Sequence, residues 1–143
     1  MVTRGIRNNN PANIRRGASW KGLRRYQTDF FCQFENMSFG IRAFFVLMRT
    51  YHYRYNLNTI SEILYRFAPL SENNTFAYIS AVTSSMNKTL GSEYQIDEHT
   101  RVNVWLNPKT PSRFLREFAK NVFWIESKYV VDDDDLMKAI SLI

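Results

Sequence analysis

One glutamate of this sequence continues an apolar helical row. Near the C-terminal end, a segment with helical spacing has an apolar stripe made of Leu115, Phe118, Ala119 and Val122. Glu126 comes four residues further along the same stripe, which predicts a carboxylate on the core-facing side of the helix. A carboxyl group in apolar surroundings has a raised pKa and stays protonated near neutral pH, as a general acid for glycoside cleavage must. The alternative is that the helix frays there and Glu126 meets water.

Other carboxylates compete for a chemical role. Glu35 follows a short aromatic segment and is the best candidate for a second carboxylate. Glu62 fits a helix capping box, Glu117 lies on the solvated face of its helix, and Glu72 has a plain alternative role in supporting a helix start. Glycoside hydrolases need two carboxylates at a defined separation, which a sequence does not supply. A lytic transglycosylase manages with one, because the C6 hydroxyl of the substrate attacks in place of water.

Short amides are concentrated near the N-terminus, in the stretch RGIRNNNPANIRR from Arg4 to Arg16. Its asparagines are Asn8, Asn9, Asn10 and Asn13. Asparagine is unfavourable inside helices and strands but suits turns, and its amide both donates and accepts hydrogen bonds. Two interpretations therefore stay open: a loop held together by its own amides, or amides that bind a polar ligand such as a sugar. Both hold if different asparagines have different roles.

The elements that would position these residues are mostly helical. Residues 4–18 are predicted as turn and loop, and residues 19–36 as a small β-lobe with a turn at Trp20 to Leu23. A wide apolar stripe predicts a buried helix from Ser38 to Tyr55. Three later helices are predicted from the capping box at Thr59 to Ala68, from Thr75 to Leu90 and, as a short helix, around Val102 to Leu106. Two more are predicted from Ser112 to Tyr129 and after a start at Asp132 to Asp135.

Composition and charge narrow the function classes. The chain has 143 residues, enough for one core, and a net charge of +6, which favours an anionic partner such as nucleic acid, an anionic envelope or a cell-wall polymer. There is no zinc-finger spacing and no RNP-type motif, so no nucleic-acid partner is expected. Cys32 is the single cysteine, which excludes an internal disulfide, and with two histidines we expect no metal site.

Apolar runs in the sequence are short. None approaches membrane-spanning length, so no membrane insertion is expected. The N-terminus lacks the apolar stretch of a signal peptide, which predicts synthesis in the cytoplasm without such a signal. A protein of this kind needs another route to act outside a cell.

Four stretches carry a resemblance: RGIRNNNPANIR, WKGL at residues 20–23, FCQFE at residues 31–35, and TISEILYRFAPLSENNTFAYI at residues 59–79. Together they resemble a family of phage and prophage proteins with a lysozyme-like domain, described as virion structural or peptidoglycan-degrading proteins. Many lytic transglycosylases begin with the helix of a catalytic glutamate, followed by an Asn-rich motif and a β-lobe. In this chain the Asn motif comes first and the IESK helix near the end, as a circular permutation would give. Permutation would bring Glu126 beside the asparagines.

The resemblance implies roles for named residues. It implies that Glu126 protonates the leaving glycosidic oxygen, with Glu35 as the second carboxylate if one is used. It implies a substrate-binding set of Asn8, Asn9, Asn10, Asn13, Trp20, Glu72, Asn73 and Tyr78, in which Trp20 and Tyr78 stack on sugar rings. It implies no cofactor.

We therefore expect a mainly α (α+β) fold, a single lysozyme-like helical domain over residues 1–143 with a small N-terminal β-lobe. The expected function is cleavage of peptidoglycan glycan strands between N-acetylmuramic acid and N-acetylglucosamine, at the cell wall or in a phage particle. One alternative is a non-enzymatic virion component that keeps the fold and has other virion proteins as partners. A second alternative is a nucleic-acid-binding module.

Overall fold

The fold is mainly α with a small β part, as the sequence predicts. A computed structural model describes residues 2–143, and about 52% of the chain is helical. The helices are α1 (Arg4–Arg7), α2 (Met37–Tyr55), α3 (Ile60–Phe67), α4 (Thr75–Leu90), α5 (Arg113–Ser127) and α6 (Asp133–Ser141), with a 3₁₀ turn at Ser92–Tyr94. The antiparallel strands β1 (Trp105–Asn107) and β2 (Thr110–Pro111) form a two-stranded sheet.

The chain divides into two compact units. The first contains the residues up to Leu47 together with Val122–Ile143, and the second contains Met48–Asn121. The predicted single domain over residues 1–143 stays a prediction. The first unit joins the two ends of the chain, because Thr3 Oγ1 donates to the Ser127 carbonyl at 2.6 Å and Arg42 Nε donates to the Leu142 carbonyl at 2.9 Å.

Aromatic side chains form much of the core of the first unit. Phe34, Phe44, Phe45 and Phe123 are fully buried. The rings of Phe44 and Phe123 meet edge to face with centroids 5.2 Å apart, an arrangement that adds to the stability gained by burying them. This contact anchors the C-terminal turns of α5, and so the position of Glu126, to the first half of α2.

Two predictions for the N-terminal region need correction. Residues 4–18 contain α1, a single helical turn capped by the Thr3 side chain. Residues 19–36 form isolated antiparallel bridges, Leu23 with Phe34 and Arg15 with Phe31, and no continuous strand. The physical reason is that the side chains of Gln27 and Gln33 take the backbone groups of this loop as partners.

The sheet of this protein lies in the second unit, where a short helix around Val102 to Leu106 was predicted. That helix prediction is wrong, because β1 and β2 form a hairpin across the turn at Pro108 and Lys109. Asn103 is fully buried before the hairpin, and its amide donates to the carbonyls of Met48 and Leu57 at 2.8 and 2.9 Å. The backbone here also pairs with a distant residue instead of within a helical turn, since the Val102 N–H bonds the Asn58 carbonyl.

Helix-start signals in the sequence are confirmed. The capping box at Thr59 and Glu62 is formed at the start of α3. Asn74 caps α4 by accepting a hydrogen bond from Ala77 N, and Asp132 caps α6. Helix α5 ends at Ser127, two residues before the predicted end at Tyr129.

Candidate functional site

Glu126 is the penultimate residue of α5. The stripe that precedes it, Leu115, Phe118, Ala119 and Val122, is fully buried, whereas Glu126 is half-buried. The carboxylate therefore sits where the buried row reaches the surface of the first unit. The C-terminal end of a helix carries the negative pole of the helix dipole, so a carboxylate there gains nothing from the helix itself.

An asparagine from the N-terminal loop contacts this glutamate. The Asn13 amide nitrogen donates to the Glu126 carbonyl at 3.2 Å and to its carboxylate Oε1 at 3.3 Å. Asn13 has a left-handed backbone with φ of +51°, a conformation that asparagine tolerates better than most residues. Its side-chain oxygen is buried and has no hydrogen-bond partner among residues 2–143, which is a costly unsatisfied acceptor on the residue that contacts Glu126.

A small-residue contact holds the loop against the end of α5. The buried Ser127 hydroxyl donates to the Pro11 carbonyl at 2.8 Å. A Cβ atom on Gly5 would lie 1.7 Å from Ser127 Oγ, so only glycine fits there. Lys128, with φ of +54°, ends the helix by donating its N–H to the Trp124 carbonyl at 2.9 Å, the single bond of an αL cap.

The neighbouring asparagines of the loop have internal roles. Asn10 is fully buried, and its amide binds the backbone of Ile14 and the carbonyl of Cys32. Asn8 is also buried, and its amide contacts Asp29 and Gln33. The hydrogen-bonding groups of these two amides are used inside the loop, and substrate binding by either amide stays a prediction.

Asn9 has a role in close packing. Its amide donates to the Phe34 carbonyl at 3.1 Å, and its backbone has φ of +52°. A Cβ atom on Gly40 would lie 1.8 Å from the Asn9 carbonyl oxygen, so α2 approaches the loop at backbone distance. Of the four asparagines, Asn13 is the one whose amide reaches Glu126.

Glu35 and Trp20 also belong to the first unit. Glu35 is exposed, and its carboxylate makes no hydrogen bond or ion pair with any described residue. Trp20 is half-buried, and its indole N–H is buried without a partner in the part of the chain that the structure describes. The partly exposed part of the ring leaves an apolar face for a ligand, whereas the buried N–H does not reach the surface.

Glu72, Asn73 and Tyr78 lie in the second unit around the start of α4. Glu72 and Asn73 are exposed in the turn that precedes the helix, and the N–H group of each bonds the Pro69 carbonyl. Tyr78 is only 7% exposed. The ring is therefore largely buried, and its stacking on a sugar stays a prediction.

A groove that the sequence reasoning did not single out opens beside the Asn-rich loop. It has a volume of about 630 Å³ and is lined by Arg15, Arg16, Gln27, Thr28, Asp29 and Phe30. The hydrogen bond from the Asn8 amide lowers the pKa of the Asp29 carboxyl, so a negative charge stands on the groove wall. The signal for this groove in the sequence was a pair of arginines followed by aromatic residues in a short loop.

Residues 2–143 contain no cluster of three or more His, Cys, Asp or Glu side chains that could hold a metal ion. None of the helices described is long and apolar enough to cross a membrane.

Comparison with known proteins finds similarity to a phage protein. No known protein-family model matches it. The chain is 43% identical over 93 residues to Protein P5 of Pseudoalteromonas phage PM2, an alignment that covers 62% of this chain and 56% of P5. The chain thus spans little more than half the length of this relative, whose name states no activity. Relationship to a phage protein is the conclusion that the comparison supports.

Proposed function

We propose that this protein cleaves the glycan strand of peptidoglycan between N-acetylmuramic acid and N-acetylglucosamine, with Glu126 as the catalytic acid. The observation that carries the proposal is the contact between Asn13 and Glu126, which brings an amide-rich loop to a carboxylate 113 residues away. The position of Glu126 at the end of a buried helical row leaves the residue half-buried at the surface of the first unit. The sequence resemblance to phage proteins with a lysozyme-like domain supports the same assignment.

The chemistry needs one positioned carboxyl group. Glu126 protonates the oxygen of the leaving sugar as the glycosidic bond breaks, and it then takes the proton of the attacking C6 hydroxyl of the same muramic acid. This reaction yields a 1,6-anhydro sugar and needs no second carboxylate. Asn13 acts as a positioning residue, because its amide fixes the rotamer of the glutamate. Glu35 is the candidate base if water attacks instead.

Mass spectrometry of digested peptidoglycan tests the proposal. Wild-type protein, Glu126→Gln and the matched control Glu117→Gln are incubated with purified sacculi; Glu117 lies on the same helix and pairs with Lys120. We expect 1,6-anhydro products from the wild type and the control and none from Glu126→Gln. Reducing products that disappear in Glu126→Gln and Glu35→Gln would establish hydrolysis. Intact sacculi with all proteins, or cleavage by Glu126→Gln at the wild-type rate, would refute the proposal.

A non-enzymatic virion component is the second candidate. It is favoured by the relationship to Protein P5 of phage PM2, since a phage protein can serve the particle without chemistry. In that case the contact between Asn13 and Glu126 serves only to hold the loop in position. Co-purification of wild-type protein and Glu126→Gln with phage particles to the same extent, with no change in sacculi, would support it.

A further inference from the structure

The loop that forms the wall of the groove exposes two aromatic rings to solvent. Tyr26 is 75% exposed and Phe30 is 87% exposed. The loop between them is fixed from inside, because Gln27 donates to the carbonyls of Arg24 and Gln33 and accepts from Gln33 N at 2.8 Å. Rings of this size are normally buried, so their display on a rigid loop points to a ligand with an apolar face.

Basic residues are concentrated in the N-terminal segment that leads to these rings. From Arg4 to Arg25 the chain has seven basic residues and no acidic one. The Arg25 guanidinium lies 5.5 Å from the Tyr26 ring centroid, and Arg16 shares the groove with Phe30. Asp29 is the acidic group on the same wall. The groove therefore offers guanidinium groups, one carboxylate and an aromatic ring within one site.

The groove is connected to Glu126 through the Asn-rich loop. Arg16 is three residues from Asn13, so their Cα atoms are at most about 11 Å apart, and Asn13 contacts Glu126. At the other end of the loop, the Asn8 amide donates to Asp29 at 3.2 Å. A strand of linked sugars that passes Glu126 is long enough to reach this groove.

We infer that the groove binds the stem peptide of a peptidoglycan strand, with Arg16 pairing a peptide carboxylate and Phe30 covering the adjoining sugar. The choice of ligand rests on the proposed function. A stem peptide carries carboxylates and, at its diamino acid, an amine, so it matches a wall of mixed charge. A nucleic acid repeats negative charge at every nucleotide, which Asp29 repels.

A pulldown on two forms of the wall tests this inference. The probes are purified sacculi and the same sacculi stripped of stem peptides by an amidase, both incubated with full-length protein carrying Glu126→Gln so that the strand stays intact. Adding Arg16→Ala and Phe30→Ala lowers retention on stem-bearing sacculi about tenfold. The matched control adds Arg113→Ala and Met137→Ala, which also remove one exposed cation and one exposed apolar side chain, and retention is unchanged. Arg16→Lys with Phe30→Trp recovers most of the binding.

The outcomes separate this inference from the proposed function. Equal retention of the groove variant and its control overturns stem-peptide binding. Equal retention of the Glu126→Gln protein on stem-bearing and on stripped sacculi also overturns it. Tighter groove-dependent binding to single-stranded DNA than to sacculi, falling steeply with salt, also overturns it. If wild-type protein fails to cleave sacculi while binding to them depends on Arg16, Phe30 and the stem, the proposed function fails and the binding site stands.

Discussion

The end of α5 and the start of α4 each place a glutamate near an asparagine, yet the two arrangements differ in cause. Glu72 and Asn73 precede α4 in a local turn, where a carboxylate is favoured by the positive pole of the helix and Asn74 provides the cap. Glu126 lies at the negative pole of α5, and its asparagine comes from the other end of the chain. A carboxylate with no local structural reason for its position is the better candidate for chemistry.

The largest expected effect tests this comparison directly. Glu126→Gln keeps the shape of the side chain but removes the transferable proton, so cleavage of peptidoglycan should fall about 10²- to 10⁴-fold. Glu72→Gln should change the rate less than threefold. Release of soluble muropeptides, followed over time for both variants, provides the measurement. A larger loss for Glu72→Gln than for Glu126→Gln would reverse the assignment of the two regions.

A second prediction concerns the contact that holds the Asn-rich loop against α5. Gly5→Ala forces a methyl group onto Ser127 Oγ and should destabilise the protein by about 1–3 kcal/mol. Urea unfolding gives the free energy of unfolding for this variant. Combining Gly5→Ala with Ser127→Gly removes the colliding atoms, so the double variant should lose less than the sum of the single variants. Additive losses would show that the two residues are not coupled.

The start of α4 provides a smaller effect. Asn74→Ala removes the side-chain cap on the Ala77 N–H and should lower stability by about 1 kcal/mol. Asn74→Asp keeps an acceptor at the cap and should unfold at the wild-type urea concentration. Cleavage of sacculi by Asn74→Ala at a temperature well below unfolding should match the wild type. A loss of cleavage without a loss of stability would instead assign chemistry to this region.

The sequence predicts the parts of this fold that depend on local signals. Capping residues such as Thr59 and Asp132 mark helix starts because they bond N–H groups two or three residues away. The N-terminal β-lobe was misplaced because the Gln33 side chain bonds backbone groups of its own loop. The helix near Val102 was wrong because the Val102 N–H bonds the carbonyl of the distant Asn58. Such partners follow from tertiary packing, which a periodic pattern does not encode.

The same reasoning applies to the candidate site. Helical periodicity was enough to single out Glu126, because one missing apolar residue in a stripe is visible in the sequence. Periodicity does not distinguish the amides of Asn8 and Asn10, which are buried, from that of Asn13, since all are in one irregular loop. The groove at Arg16 and Phe30 was missed because its lining residues come from two segments that only the folded loop brings together.

The last comparison is between the two amide–carboxylate pairs of that loop, Asn8 with Asp29 and Asn13 with Glu126. The expected effect, a pH-dependent change in stability at Asp29, is the smallest of those predicted. The Asn8 hydrogen bond lowers the folded-state pKa of Asp29, so the stability it gives is full above the unfolded pKa near 3.9 and is lost as the pH falls through the folded value. Asp29→Asn should therefore be less stable than wild type at pH 6, with the difference shrinking towards pH 2.5.

Urea midpoints measured across this pH range test the pair, with Glu35→Gln as control for loss of one negative charge that has no hydrogen-bond partner among the described residues. A wild-type advantage over Asp29→Asn that does not change with pH would show that the Asn8 bond leaves the folded pKa unshifted. At saturating amounts of sacculi, Asp29→Asn should keep its cleavage activity at pH 6, because Asp29 lies in the binding groove, whereas the Asn13 pair positions Glu126. Loss of cleavage in Asp29→Asn with stability retained would transfer the catalytic assignment from the end of α5 to the groove.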